Sequence, residues 1–484
     1  MNERPHLFIG LPIEASEHDC AYPDGGYATA SPAPQHQGLW QIAPELYRAA
    51  LPDNHELAVS AHADGGVVVL NPAAKRVLDS FATPCSLHEA PAIAERMALR
   101  GLLAPVGAQP LLAQGQPKTL TAWLHVTDAC NLSCVYCYLD KSGEAMDEAT
   151  GLRAIDAVVR SALRHSFSTI KLKYAGGEAT LNFGLVRKLH AYAVESAAAA
   201  GLTLRETVLS NGVALTRAMI TFLAEAGISL MISLDGIGEA HDAQRAFPNG
   251  RGSFTHVRRA IERASAGGLA PNLSITVSGR NIAQLPAAVA FALDHDLRFN
   301  LNFYRESELT ATHTDLAAHD DQMIAGLREA LAVIVERLPR RRLLDGLIDR
   351  SAFDQPHDHA CGAGLSYLVI DQRGGVSACQ MELSQPATTV AAADPLGIIK
   401  LTPTSFRNVP AREREGCATC VWRPWCAGGC PMLTQRVTGR SDLRSPFCAV
   451  YTAIYPEAVR LEGLRLMRWA SPLPDTCELL ERFA

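Results

Sequence analysis

The sequence predicts an α/β protein in which six strand-helix units build a parallel sheet, preceded by a separate N-terminal module and followed by a cysteine-rich region. Three observations carry this. Apolar runs of strand length alternate with helical periodicity from about residue 119 to 337. Residues 1–112 show a different, mixed pattern, and residues 338–448 break the alternation and hold seven cysteines. At 484 residues with 48% hydrophobic and 19% charged composition, the chain has material for two to four cores.

In the N-terminal module, Leu57 to Val59 and Gly66 to Leu70 are expected as short strands. Asn71-Pro72 then opens a helix carrying Ala74, Val77, Leu78 and Phe81 at helical spacing. A second helix is expected from Leu87 to Arg100, stopped by Gly101 and followed by Leu102-Leu103. Residues 1–50, with their Pro and Gly clusters, yield no clear element. This pattern resembles the RiPP recognition element, a winged-helix module found in or beside enzymes that modify ribosomally made peptides. The resemblance implies capture of a leader peptide as an extra strand on a small exposed sheet. The plain alternative is a structural cap.

Ala113 to Lys118 is a polar linker. Beyond it, strands are expected at 119–126, 170–174, 204–209, 228–234, 272–278 and 298–303. Helices are expected near 147–165, 182–200, 216–226, 253–267, 281–295 and 319–337. In parallel barrels the loops at strand C-termini build the site, and each motif below falls at such an end. After residue 448 the chain reads as helical to about Trp469, with 471–484 as a tail.

Directly after the first strand, Cys130, Cys134 and Cys137 stand at C-x3-C-x2-C spacing. Three thiolates on one short loop can hold three corners of a cubane 4Fe-4S cluster and leave the fourth iron without a protein ligand. A zinc knuckle or three neighbouring thiols is the alternative, although structural zinc wants four ligands and no fourth Cys or His stands at ribbon spacing. Gly176-Gly177-Glu178 follows the second strand, Ser210-Asn211-Gly212 the third, and Ser233-Leu234-Asp235-Gly236 the fourth. Glycines let a backbone approach a ligand closely, and a carboxylate accepts from an ammonium. Asn-Gly and Asp-Gly are equally ordinary turns.

The three-cysteine loop with Tyr136 inside it, and these motifs in this order over residues 119–335, resemble the radical S-adenosylmethionine (SAM) superfamily. The resemblance implies a TIM-like partial barrel, (β/α)6, with SAM bound to the open iron of a cluster on Cys130, Cys134 and Cys137. One electron passed to the sulfonium would release methionine and a 5'-deoxyadenosyl radical. It further implies Tyr136 against the adenine and Gly176, Gly177 and Glu178 at the methionyl ammonium. Ser210, Asn211 and Ser233 would serve the ribose and carboxylate. Arg245 either pairs with the SAM carboxylate or sits in a surface ion pair. The family usually shows Pro after the Glu, where this chain has Ala179. His241-Asp242, Arg245 and Gly252-Ser253-Phe254 resemble a stretch common in peptide-modifying members. Tyr304, Arg305 and Glu306 close the last strand and point, by position, toward a substrate.

The later cysteines are Cys361, Cys379, then Cys417-x2-Cys420-x5-Cys426-x3-Cys430, and Cys448. They resemble the SPASM extension, here 338–470, which implies two auxiliary 4Fe-4S clusters and three clusters in all. Cys361, Cys379 and Cys430 would hold the first; Cys417, Cys420, Cys426 and Cys448 the second. The first then lacks a fourth cysteine, so Asp354, His357 or His359 ligates or one iron stays open. A zinc ribbon is the alternative. Cys20, Cys85 and Cys477 read as ordinary thiols.

The combination is similar to radical SAM/SPASM peptide maturases. It implies hydrogen-atom abstraction from a ribosomally made precursor peptide, bound through its leader, and an oxidative crosslink such as a carbon-carbon cyclophane or a thioether. Closing a bond onto a carbon radical requires losing another electron, which a nearby cluster can accept. A flavodoxin- or ferredoxin-type donor is the implied reductant. Alternatives are a sulfatase-type formylglycine maturase, in which an Asp follows the cysteine matching Cys379 where this chain has Gln380, and a peptide epimerase, which needs a hydrogen-donating cysteine. A non-enzymatic alternative is an iron-sulfur or zinc scaffold that binds peptides. The net charge of -6 supplies no basic field for nucleic acid. No uncharged run approaches the ~20 residues of a membrane span, and Met1 to Pro5 opens no signal-like run. Thirteen cysteines without an export signal fit metal ligation in a reducing cytoplasm.

Overall fold

The computed structural model describes residues 4–9, 38–62, 66–108, 117–353, 356–402 and 404–470. The N-terminal module contains β1 (Leu7–Ile9), β2 (Trp40–Ile42), β3 (Tyr47–Ala50), β4 (Glu56–Val59), β5 (Val67–Leu70), α1 (Pro72–Ser80), α2 (Ile93–Leu99) and β6 (Leu103–Pro105). Four of its strands form an antiparallel sheet in the order β1-β5-β4-β3, and β2 pairs with β6. All of β5 is buried because both faces of this sheet are covered. Ala58, Val68 and Leu70 pack with Leu78, Phe81 and Met97 on the side of α1 and α2. Leu57, Val59, Val67 and Val69 join the main core on the other side. The expected helix from Leu87 to Arg100 is broken into a 3-10 turn at Leu87–Glu89 and α2. Pro91 is the cause: it forces Ala90 before it into an extended conformation (φ -96, ψ 158).

The central region alternates strand and helix as expected. Its elements are β7 (Thr119–His125), α3 (Glu148–Arg164), β8 (Thr169–Ala175), α4 (Phe183–Ala199), β9 (Thr203–Ser210), α5 (Arg217–Glu225), β10 (Ser229–Ser233), α6 (Glu239–Asp242), α7 (Phe254–Ala266), β11 (Asn272–Val277), α8 (Leu285–Asp294), β12 (Phe299–Phe303) and α9 (Asp320–Arg337). Neighbouring strands from β7 to β12 pair in parallel, so each motif-bearing strand end lies on one rim. Every residue of β7 is buried, as a strand covered on both faces requires. Capping residues set the helix starts: Asp147 accepts from Thr150 N at 2.7 Å, and Thr216 accepts from Met219 N at 3.3 Å.

The cysteine-rich region does more than interrupt the pattern. It holds α10 (Leu344–Leu347), β13 (Tyr367–Ile370), β14 (Gly375–Ser377), β15 (Thr388–Thr389), α11 (Pro395–Leu401), α12 (Arg423–Cys426), α13 (Pro431–Thr438) and α14 (Cys448–Trp469). β13 pairs in parallel with β7, and β14 and β15 follow antiparallel, which extends the sheet to nine strands. The barrel rim is thereby joined to the segment that carries the second cysteine group. No helix among the described residues is long and apolar enough to cross a membrane.

Candidate active site

A cavity of about 1300 Å³, counted out to its open mouth, lies over the C-terminal ends of the parallel strands. Cys130, Cys134, Tyr136 and Cys137 line one wall, with Gly176, Gly177, Glu178, Ser210, Asn211, Ser233 and Arg245 around them. The structure thus brings together every residue that the sequence suggests for SAM. Tyr304 and Arg305 also line the cavity. Glu306 does not; it is exposed, and its carbonyl accepts from Arg436 at 3.0 Å.

The glycines of the Gly176-Gly177 turn have a steric reason different from the expected one. Gly177 N donates to Thr127 O at 2.7 Å and Glu178 N donates to Ala129 O at 2.8 Å. A Cβ on Gly177 would stand 2.5 Å from the carbonyl oxygens of both Asp128 and Ala129. The turn is therefore stitched to the backbone that launches the cysteine loop, and that contact, before any approach to a ligand, excludes a side chain. Asp128 anchors the same backbone: its carboxylate accepts from His125 at 2.7 Å, Ser142 at 2.5 Å and Gln372 at 2.7 Å. Burial pushes this carboxyl up, but the bonds from His125 and Ser142 hold it below its ordinary value.

Glu178 is buried and held from several sides. Its Oε1 accepts from Thr180 N at 3.1 Å, Thr180 Oγ1 at 2.5 Å and Ser210 Oγ at 2.8 Å, and its Oε2 accepts from Asn211 N at 2.6 Å. Ser210 thus donates to the Glu178 carboxylate in this structure. Asn211 is likewise committed inward: Nδ2 donates to Asn131 Oδ1 at 2.7 Å and reaches Cys130 Sγ at 3.8 Å, while Oδ1 accepts from Val213 N at 2.9 Å. It positions the cysteine loop.

The opposite side of the loop is a buried charge cluster that the sequence only hinted at. Tyr136 donates its hydroxyl to Asp235 at 2.5 Å, Arg245 Nη1 bonds the same hydroxyl, and Arg245 stands 3.4 Å from Asp235. Arg245 is therefore no surface residue. Burial works against its charge, yet Cys134, Tyr136 and Asp235 hold it firmly protonated. Its buried Nε has no partner among the described residues. Behind it His241 accepts from Asp235 N at 3.2 Å through Nδ1, which leaves Nε2 to donate to Ser253 Oγ at 3.0 Å. Ser253 in turn donates to Arg245 O at 2.5 Å. Asp235 lies inside the motif after β10, so its place was readable; its role as the counter-ion was not.

Cys130, Cys134 and Cys137 all have thiols pushed up by burial, so their thiolates need a cationic partner such as iron. Among the described residues no three His, Cys, Asp or Glu side chains close on a point that would seat one metal ion. On a single zinc, thiolate sulfurs would lie about 3.8 Å apart. Cys130, Cys134 and Cys137 line one cavity from one short loop, and three such thiolates can each bind a separate iron of a cubane.

The same cavity is also lined by Cys379 and Cys430. Cys361 packs beside them, in one buried cluster with Trp123 and Tyr367. Burial would push Cys430 up, but Arg305 and Arg350 outweigh it and hold its thiol below the ordinary value. Arg350 also lines the cavity and has a positive φ of 59°, a strained conformation that no sequence pattern announces. Of the candidate fourth ligands, Asp354 lies outside the described residues. His357 donates its backbone N to Pro424 O at 2.7 Å, and neither it nor His359 reaches the cavity wall. Cys417, Cys420, Cys426 and Cys448 line a separate pocket of about 350 Å³, closed by Trp422, Tyr451 and Tyr455. Burial pushes Cys426 up to about 12 and Cys417 to about 11, so these four also form a donor set waiting for cations. The residues present therefore fit a three-thiolate cluster at the barrel and a four-thiolate cluster beside α14. Cys85 pairs by backbone with Trp40, away from either set; Cys20 and Cys477 lie outside the described residues.

Known proteins resemble parts of this chain. Residues 124–292 match the model of the Radical SAM superfamily. Mycofactocin maturase MftC of Mycobacterium tuberculosis is 28% identical over 325 residues, which cover 65% of this chain and 78% of the relative. The PqqA peptide cyclase of a Methylobacterium species is 23% identical over 352 residues, 69% of this chain and 87% of that protein. The solved structure of native anSMEcpe with bound AdoMet superposes with a TM-score of 0.57 at 20% identity, covering 72% of this chain and 99% of that one. Against the first two curated relatives the matched stretch spans only 57% and 51% of their lengths.

Proposed function

We propose, from the radical SAM domain that residues 124–292 carry, that this chain is a radical SAM/SPASM maturase that oxidises a ribosomally made peptide and closes a crosslink in it. The observation that carries the reading is one cavity lined by Cys130, Cys134 and Cys137 and also by Cys379 and Cys430. Cys130, Cys134 and Cys137 would hold a 4Fe-4S cluster which, together with SAM, would supply the one-electron chemistry that removes a hydrogen atom from the peptide. The chain's own residues do the rest. Glu178 presents a fixed carboxylate to the methionyl ammonium. Arg245 offers its remaining N–H to the SAM carboxylate, and Asp235 keeps that guanidinium in place. Cys361, Cys379 and Cys430 would hold the group that removes the second electron; together with a proton this balances the loss of two hydrogens from the peptide. Cys417, Cys420, Cys426 and Cys448 would hold a further cluster on the route to a flavodoxin- or ferredoxin-type donor.

The names of the mycofactocin maturase and of the PqqA peptide cyclase support a peptide substrate. A formylglycine maturase has less support, because Gln380 is a neutral amide whose Oε1 accepts from Tyr367 at 3.2 Å and cannot serve as a base. The reduced protein, supplied with SAM and a short peptide encoded beside it, is expected to yield 5'-deoxyadenosine and a peptide lighter by two hydrogens. An unchanged or heavier peptide would refute the crosslinking claim. A Cys134→Ala protein that still releases deoxyadenosine would sink the assignment of the cluster.

A further inference from the structure

We infer that the cavity at the strand N-terminal end of the barrel is a binding site for a phosphate-bearing small molecule. It measures about 1680 Å³ out to its open mouth, against about 1300 Å³ for the cavity lined by Cys130, Cys134 and Cys137. Ser229 opens β10, Asn272 opens β11 and Arg298 directly precedes β12, and all three line it together with the turn that follows α9. Chemistry in a parallel barrel belongs to the opposite rim, so a ligand at this end would brace the strands and take no part in the reaction.

Four guanidinium groups line the cavity: Arg298, Arg337, Arg340 and Arg341. Among its described lining residues Asp296 is the single carboxylate. In a chain of net charge -6 this is a local reversal of sign. The ion pairs present sit at the rim. Arg337 Nε donates to Asp294 at 3.0 Å and stands 3.9 Å from Glu336, and Arg341 Nη1 bonds Asp296. These three carboxylate side chains are 56%, 74% and 91% exposed, so water screens the pairs and each is weak. Arg340 has no carboxylate partner among the described residues, and its guanidinium lies 4.7 Å from the ring centre of Trp469. Arg341 Nη2 donates to Leu297 O at 2.5 Å, while its buried Nε has no partner among the described residues. Burial holds the Arg341 guanidinium below its ordinary value, a cost that an anion in the cavity would offset.

Phosphate is the anion this arrangement suits. A planar guanidinium donates two parallel N–H groups, and several around one cavity match a group with three acceptor oxygens and more than one charge. Leu269, Pro271 and Pro339 add an apolar face beside them, able to take a ring attached to the phosphate. A free polyphosphate and a nucleotide share this chemistry.

The test is calorimetric titration of the full-length, iron-loaded protein with pyrophosphate, ADP and adenosine at constant ionic strength. Pyrophosphate and ADP are expected to bind, and adenosine is not. Tighter binding of ADP than of pyrophosphate would assign the site to a nucleotide, and equal binding to the free anion. Arg341→Gln removes one charged donor and should weaken both anions by about ten-fold or more. Deoxyadenosine release should be unchanged in that variant, because Arg341 lies outside the cavity of the three-cysteine loop. Arg340→Glu reverses a charge at an exposed position, should weaken both anions likewise, and decides the matter if Arg341→Gln unfolds the chain. Hydrogen exchange from Ala270 to Leu273 and from Leu338 to Arg342 should slow when pyrophosphate is added. No binding of either anion, undiminished binding to both variants, adenosine binding as tightly as ADP, or protection appearing at the cysteine loop instead would overturn the inference.

Discussion

At the scale of single residues, the site is built from groups whose hydrogen bonds are spent on holding one another. Glu178 takes four donors, and a Glu178→Gln side chain would turn an N–H toward at least one of them. Each such mismatch at a buried charged acceptor costs about 1–3 kcal/mol. We expect SAM affinity, measured by calorimetry on the reconstituted protein, to fall by ten-fold or more with iron content unchanged. His241 gives a pH prediction. Burial, with Arg245 nearby, holds its folded pKa down to about 3. The unfolded chain binds the proton from about pH 6.5 downward, so stability rises with pH through this window and is lost as pH falls. The loss attributable to His241 is roughly 2 kcal/mol by pH 5. A His241→Gln protein should show a shallower decline in unfolding midpoint between pH 7 and 5. An identical slope would refute the neutral, Nε2-protonated assignment.

At the scale of elements, the informative contact is between the turn after β8 and the backbone after β7. Gly177→Ala would push a methyl into two carbonyl oxygens that cannot move without moving the cysteine loop. Such a protein should fold, since β7 and β8 pair along their whole length. It should lose about four irons per chain, the content of one cubane. Iron analysis with electron paramagnetic resonance checks this, and full retention would show that the loop tolerates the shift. These elements also show what a sequence discloses. The alternation of β7 through β12 with their helices was legible because each strand is covered on both faces and each helix carries an apolar stripe. Cys130, Cys134, Cys137, Glu178 and Ser233 were legible as motifs at strand ends. The parallel pairing of β13 with β7 was hidden because four residues, Tyr367–Ile370, carry too little periodicity to distinguish a strand from buried coil. β1 was hidden for the same reason, at three residues. Asp235 as the partner of Arg245, and Arg350 beside Cys430, depend on long-range packing that no local pattern encodes.

At the scale of the whole molecule, the N-terminal sheet, the second cysteine set and the barrel are coupled through one aromatic stack. Trp422 contacts Tyr47 of β3 at 4.5 Å, Tyr455 of α14 at 5.5 Å and Phe353 at 6.2 Å, and it lines the pocket of Cys417, Cys420, Cys426 and Cys448. Beside it Leu51 and Leu57 close over Gly463 of α14, where a Cβ would stand 3.0 Å from Leu51. The N-terminal sheet is thus seated on the helix that begins with Cys448. Trp422→Ala removes a buried indole and leaves a cavity at that junction, at a cost on the order of 3–5 kcal/mol. The loss should be local. Hydrogen exchange should quicken in β3 and β4 and around Cys417 to Cys426, while β8 and β9, which make none of these contacts, keep their protection. Iron content should fall by one cluster, and deoxyadenosine release should persist because Trp422 does not line the cavity that holds Cys130, Cys134 and Cys137. Uniform loss of protection in barrel and N-terminal sheet alike would show instead that the three regions unfold as one unit, and that the aromatic stack is part of a single core.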